Sequence, residues 1–405
     1  MGWTLARLAA ERFETTVVVE ERKFGPAIRA WLADNEPPAN LTFAFVPEKW
    51  WAHGMWAAGL GYLSYRWWHG RARKAAEKLH ADRPFDAVQM ATIISFREPG
   101  PWSDLPAADA PGNVPLIWGP VGGTHNYPAG FLGEAGPKAA MKERIRSWVN
   151  RRQLAGRRVR EALFKAHTVV AATGETRDAL RGVVDRDVAV VSEITLRTPR
   201  RDAAFRPLDG GPLRVLWSGL HEPRKCLSLL IRAVAKLPSP EAVTVRVLGD
   251  GEMRGRWKAL ADELGVADRF EWSGWIPHDQ AAAQYEWADA FAFTSVRDTT
   301  GTVLLEALDA GLPVVTLDHQ GAGDVVTADC GIKVTPHSPA AAVSGIGVAL
   351  TRLAGDESLR RRLSDGAVRR ADDYRLDAKR AQWHAVWDGV PSLRACEAEA
   401  AREPV

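Results

Sequence analysis

The stretch from Ser295 to Val315, SVRDTTGTVLLEALDAGLPVV, gathers the groups in this chain best suited to chemistry. An apolar run before it, Ala290-Phe291-Ala292-Phe293, reads as a buried strand. A loop follows, Arg297-Asp298-Thr299-Thr300-Gly301-Thr302, and Val303 to Ala310 has the apolar spacing of a helix that Gly311 and Pro313 stop. A loop rich in hydroxyls and glycine at a helix start presents unpaired N–H groups, and the helix dipole adds partial positive charge. An anion such as phosphate is favoured there. Asp298 and Glu306 flank the loop as acceptors for sugar hydroxyls. A phosphate site bordered by hydroxyl acceptors suits a nucleotide sugar. The loop alone also fits any α/β protein with a glycine before a helix.

Two more stretches follow expected strands: Gly219 to Lys225 after Leu213–Trp217, and Gly249 to Glu252 after Val243–Leu248. Arg224 and Lys225 offer a planar fork and a point charge to a diphosphate. Taken singly, Lys225 reads as a surface cation; beside the Gly301 loop it reads as a ligand.

The elements that must position these groups alternate. Helices are expected over 227–236, 254–264 and 280–288, and a strand over 270–272. Strand–helix alternation implies a parallel sheet with helices on both faces and ligands at the carboxyl ends of its strands. In the first half, strands are expected at 15–19, 41–46, 85–90, 114–118 and 167–172. Helices are expected at 5–13, 25–34, 71–80, 141–166 and 175–181. Gly119-Pro120-Val121-Gly122-Gly123-Thr124-His125 reads as a turn or a close approach to a ligand. Ser192 to Asp209 lacks periodicity and reads as a linker; 340–390 is helical and 395–405 frayed.

Trp50 to Trp68, WWAHGMWAAGLGYLSYRWW, is aromatic, but three glycines and several polar groups interrupt it, so it does not read as a membrane span. It reads as a half-buried helix or as an interfacial segment meeting a lipid-linked acceptor. The chain has 405 residues, enough for two domains, and a net charge of +3, which gives no argument for nucleic acid. Three distant cysteines make neither a metal spacing nor a disulfide framework, and the amino end is an amphipathic helix rather than a signal peptide, so a cytoplasmic location is expected.

GLHEPRKCLSLLIRA resembles the Gly-Arg-Leu-x-x-x-Lys-Gly segment of retaining family-four glycosyltransferases of the GT-B fold. DTTGTVLLE resembles their Glu-x7-Glu motif. LGDGE, FEWSGWIPHDQ and CGIKV fall in family order, and PLIWGPVGGT is similar to a bacterial branch. The resemblance implies two Rossmann-like domains with parallel sheets facing a central cleft. They would be 1–200 on the acceptor side, 201–375 on the donor side, and 376–405 as a helix and tail crossing back. It implies transfer of a sugar from a nucleotide-sugar donor to a polysaccharide, lipid-linked or small acceptor with retention, and no metal. A peripheral contact with the inner face of a membrane would suit a lipid-linked acceptor.

The resemblance also assigns roles. Lys225 binds diphosphate, with Gly219 and Arg224 beside it. Glu306 holds the ribose, Asp298 the transferred sugar, the backbone of Thr300, Gly301 and Thr302 the phosphate or sugar, and Ile276 the base. Departures are Leu220 for the family's Arg, Cys226 for its Gly and Asp298 for a Glu. The first-domain His is absent near Gln89 and Pro120, which leaves His125, a residue expected to be exposed, as its substitute. The opening strand and its glycine loop are expected to be missing, which would leave sheet edges unpaired. With that gap, the alternative is a degenerate homologue that binds or scaffolds without turnover. A dehydrogenase ranks low without GxGxxG.

Overall fold

The computed structural model describes residues 1–49, 51, 54–55, 61–108, 111–198 and 205–394. Residues 50, 52–53 and 56–60 of the aromatic segment, part of the expected linker and the expected frayed tail lie outside them.

The first lobe runs α1 (Gly2–Ala10), β1 (Thr15–Glu20), α2 (Glu21–Asp34), β2 (Leu41–Val46), α3 (Gly61–Asp82), β3 (Val88–Met90) and β4 (Leu116–Val121). It continues with α4 (Leu132–Ala135), α5 (Pro137–Leu154), α6 (Arg157–Lys165), β5 (Thr168–Ala171), α7 (Gly174–Arg181) and β6 (Ala189–Val190). The second lobe runs β7 (Leu213–Ser218), α8 (Leu227–Ala235), β8 (Val243–Leu248), α9 (Arg254–Glu263), β9 (Phe270–Gly274), α10 (His278–Trp287) and β10 (Ala290–Phe293). Then come α11 (Thr302–Asp309), β11 (Val314–Leu317), α12 (Gln320–Val325), β12 (Gly331–Val334), α13 (Pro339–Gly355), α14 (Glu357–Asp372) and α15 (Leu376–Asp388).

The second lobe holds one parallel sheet of strand order β12-β11-β10-β7-β8-β9. Its central strand β10 is apolar on both faces: Ala290, Phe291, Ala292 and Phe293 are all buried, because helices cover both sides. The strand order reverses between β7 and β10, the place where an open α/β sheet leaves a crevice at its carboxyl edge.

The first-lobe strands form two parallel groups, β1-β2 and β3-β4-β5-β6. Among the described residues no strand joins β1 to β3. A cavity of about 1690 Å³ lies between them, lined by Val17, Val19, Gln89, Ile93, Ile117 and Trp387 among others.

Two expectations for this lobe need correction. Gly119 and Pro120 are not a turn; they continue β4. A side chain at Gly119 would overlap the Val170 carbonyl of β5, and the register shifts there, so a residue without an N–H is tolerated next to it. The expected helix over 141–166 is two helices, α5 and α6, interrupted at Ala155-Gly156.

Helix α15 returns from the second lobe and packs Trp383, Val386 and Trp387 against Leu5, Leu8, Ile117 and Val170. Arg12–Asp388 at 2.8 Å and Arg380–Glu11 at 2.6 Å close the seam. Among the described residues no helix is long and apolar enough to cross a membrane.

Candidate active site

Lys225 and the Gly301 loop converge on one side chain, Phe293, the last residue of β10. The Lys225 ammonium lies 5.2 Å from the Phe293 ring centre. Gly301 touches the other side of that ring: a Cβ there would sit 2.9 Å from its tip, and its φ of +87° is one that only glycine adopts without strain. Among the described residues no side chain caps α11; the Leu304 N–H donates to the Gly301 carbonyl at 3.0 Å.

Asp298 links the two cations. Its carboxylate accepts from Lys225 at 2.5 Å and lies 3.1 Å from Arg224, whose guanidinium also donates to the Arg297 carbonyl. Burial works to raise the Asp298 carboxyl, but Lys225 and Arg224 outweigh it and hold the group below the usual carboxylate range. Glu306 approaches from α11 and accepts from the Tyr285 hydroxyl at 2.6 Å. Tyr285 stays protonated: burial, then Glu306, push its hydroxyl far above the ordinary tyrosine range, against a hydrogen bond with Ser218 at the end of β7.

Gly219 lies beside the Lys225 stem, within 3.7 Å of its carbons for a Cβ placed there. The three strand tips are laddered, Gly219 N–H to Leu248 and Gly249 N–H to Gly274. Ile276 follows β9 and packs on the cluster that holds Leu248 and Tyr285.

The structure thus brings Gly219, Arg224, Lys225, Asp298, Gly301, Thr302 and Glu306 to one edge. Thr300 is there too, but its hydroxyl donates to Glu193 of the first lobe at 2.9 Å, leaving only its backbone for a ligand. His125 is not exposed. It is buried in the first lobe, with Nε2 3.3 Å from Thr173 and Nδ1 3.4 Å from Glu175. Burial works to raise the Glu175 carboxyl, but His125 and then His319 outweigh it and keep Glu175 ionised below its ordinary range.

The lobes meet across this edge. Gly122 of the first-lobe glycine loop faces the Thr299 methyl, at 3.5 Å for a Cβ placed on the glycine. Arg297 pairs with Glu143 at 2.8 Å, and the Gly174 N–H donates to Asp324 at 2.6 Å. Gln320 is the residue that sequence reasoning missed. It accepts from the Asp298 N–H at 2.8 Å, donates its amide to Asn126 at 3.2 Å, and gives its own N–H to Glu175 at 3.1 Å. The available signal was its place just past the tip of β11, on the same sheet edge.

Residues 200–370 match the family described as glycosyl transferases group 1. Among curated relatives, the lipopolysaccharide core biosynthesis glycosyltransferase LpsD of Rhizobium meliloti is 31% identical over 190 residues, 45% of this chain and 51% of the relative. The 2-deoxystreptamine N-acetyl-D-glucosaminyltransferase of Streptomyces fradiae is 30% identical over 212 residues, 49% of this chain and 48% of the relative. The chain spans about half the length of the curated relatives it matches.

Among solved structures, a sucrose-phosphate synthase from Thermosynechococcus elongatus superposes with a TM-score of 0.57 at 16% identity, over 95% of this chain and 91% of the other. Anabaena HepE, crystallised with UDP-glucose, gives 0.54 at 16% identity over 95% and 94%. The two lobes have the GT-B fold.

Proposed function

We propose that this chain transfers a sugar from a nucleoside-diphosphate sugar to a hydroxyl of a saccharide or lipid-linked acceptor, with retention at the anomeric carbon. The observation that carries the reading is the convergence of Lys225, Arg224, the Gly301 backbone and Glu306 at the β7/β10 reversal. The family match over the second lobe and the glycosyltransferase names of the curated relatives support it.

The diphosphate would draw Lys225 and Arg224 away from Asp298 and rest on the uncapped start of α11. Fixed positive charge then meets the charge that develops on the leaving group, in a crevice where water is partly excluded. These groups do the work a divalent cation does elsewhere, so turnover should survive a chelator. Glu306, oriented by Tyr285, accepts the ribose hydroxyls. Asp298, freed from the cations, accepts from the sugar being transferred. Ile276 borders the base.

The first lobe offers the Gly122-Gly123 loop and His125 to the acceptor side. His125 is braced by Thr173 and Glu175 and serves to orient that loop against the sugar.

The test is turnover. The chain is incubated with UDP-glucose and other nucleotide sugars, with saccharide and lipid-linked acceptors, and products are followed by proton NMR of the anomeric signal. Transfer, or slow donor hydrolysis, with the donor's anomeric configuration kept is the expected result. Inversion would refute retention. Nucleotide binding without any release of sugar would favour a binding role.

A further inference from the structure

Helix α5 is built inside out. Its inward face is polar: Glu143, Ser147 and Asn150 are buried, each four or three residues from the next. Its outward face is apolar. Met141, Ile145 and Trp148 share the same spacing and are 57%, 56% and 56% exposed. A solvated helix of a soluble protein carries the opposite pattern.

Two of these buried groups have polar partners: Asn150 donates to the Thr124 carbonyl at 2.8 Å, and one oxygen of Glu143 pairs with Arg297. Among the described residues, the Ser147 hydroxyl and the other Glu143 oxygen are buried without one. Among the described residues the ridge joins no buried apolar cluster, and the Arg152 guanidinium lies 5.2 Å from the Trp148 ring centre.

Charge says what would cover the ridge. Lys138 and Lys142 lie along one side of it on a helical projection, and Arg144 and Arg151 along the other. Helix α6 follows directly and presents Phe164 at 80% exposure among Arg157, Arg158, Arg160 and Lys165. Residues 137–165 hold ten Lys and Arg against two Glu, a net charge of +8, while the whole chain carries +3. The excess is local, and the rest of the chain is net acidic. A second copy of the same face would be repelled. An apolar ridge with aromatic and basic flanks fits an interface that is negative outside and greasy beneath.

We propose that α5 and α6 seat the first lobe on an anionic lipid bilayer. Trp148, Ile145 and Met141 enter the headgroup boundary and the flanking cations meet lipid phosphates. This contact differs from the aromatic segment at Trp50–Trp68 and does not depend on the reading of the donor site. It would hold the acceptor-side lobe against a surface where lipid-linked sugars are found.

The experiment is co-sedimentation of the full chain with vesicles of phosphatidylcholine alone and with about a third phosphatidylglycerol. Folding of every variant is checked by circular dichroism melts, which need no ligand. Binding to the anionic vesicles at least ten-fold tighter than to neutral ones, weakened by salt, is expected. Paired Ile145→Ser and Trp148→Ser changes should lower it at least ten-fold with the melt unchanged. Lys142→Glu with Arg144→Glu should reduce it as well.

Equal binding by the Ile145/Trp148 variant, equal binding to neutral vesicles, or no binding would overturn the proposal. So would a dimer that the same variant converts to monomer, since the ridge would then cover a second copy. If a soluble polyanion displaced the protein while the apolar variants bound vesicles normally, the surface would be a plain cationic patch and the proposal would fail.

Discussion

Lys379 shows how much one side chain reports on its surroundings. It is buried, donates to the Ser192 carbonyl at 3.1 Å, and lies 5.1 Å from the Tyr374 ring centre. Burial lowers its ammonium to about 8 from 10.5, with nearby Glu193 working the other way. A Lys whose folded pKa is depressed binds fewer protons folded than unfolded between those values. Stability from this group therefore rises as pH climbs from about 8 to about 10.5, and it is a cost below that window. The swing is on the order of 3 kcal/mol at about 1.4 kcal/mol per unit. Lys379→Met should flatten that rise, read as Tm at pH 8 and pH 10 against wild type.

Asp298 titrates in the opposite sense. Its pair with Lys225 and Arg224 contributes above the unfolded carboxylate range near 4 and is lost as pH falls below it. Asp298→Asn should therefore blunt acid destabilisation, measured as Tm between pH 5 and pH 3.

At this scale Lys225 and Glu306 were legible, because strand ends and a resemblance marked them. Gln320, Glu193 and Glu175 were not. Each acts on a partner from the other lobe, and no local pattern encodes how two lobes dock. His125 was misplaced for the same reason: a loop histidine reads as exposed until a second lobe and Glu175 close over it.

At the scale of elements, helix α12 supports the 298–301 loop by contact of backbone on backbone. A Cβ at Gly321 would overlap the Thr299 carbonyl oxygen, and carbonyl oxygens have no rotamer with which to yield. Helix propensity alone favours alanine over glycine by about 1 kcal/mol. Forced overpacking costs typically about 1–3 kcal/mol and wins when the neighbour is backbone. Gly321→Ala should lower stability by about that amount in urea unfolding and also weaken nucleotide binding, because the displaced segment is 298–301.

The second-lobe elements from β7 to α11 were readable to within about two residues, while α12 and β12 were not anticipated and the helical stretch 340–390 divides into three helices. A fully buried parallel strand is short and uniformly apolar, as Ala290–Phe293 is, and Val243–Leu248 keeps its apolar residues buried while Thr244 and Arg246 are half-buried. The first lobe was harder. Gly119-Pro120 carries a turn signal, yet β4 runs through it, because packing against Val170 fixes what propensity leaves open. The break inside the expected helix at 141–166 had its signal in Gly156, which the continuous Arg-rich run masked.

For the whole molecule, the design is two α/β lobes tied by a strap. Helix α15 leaves the second lobe and seals the first with Trp383, Val386 and Trp387, beside the cavity that separates β1 from β3. Trp387 is nearly fully buried and donates to Gln89 at 2.9 Å. Trp387→Ala should destabilise the first lobe by about 3–5 kcal/mol, seen as a lower denaturant midpoint for its tryptophan signal. The fold class was legible because alternation and order are global properties of the sequence. How the lobes face each other follows from contacts such as Arg297–Glu143 and Thr300–Glu193, which join residues more than a hundred positions apart.

The central claim is that the tips of β7 and β10 and the start of α11 make one nucleotide-sugar site. Calorimetric titration of UDP and UDP-glucose into the wild type, Lys225→Ala and Glu306→Ala tests it most directly. Each substitution removes a charge-assisted hydrogen bond of about 1.5–3 kcal/mol to the ligand, so Kd should rise roughly ten- to a hundred-fold in both variants, measured at a temperature where circular dichroism shows each folded. Affinity unchanged by either substitution would contradict the account.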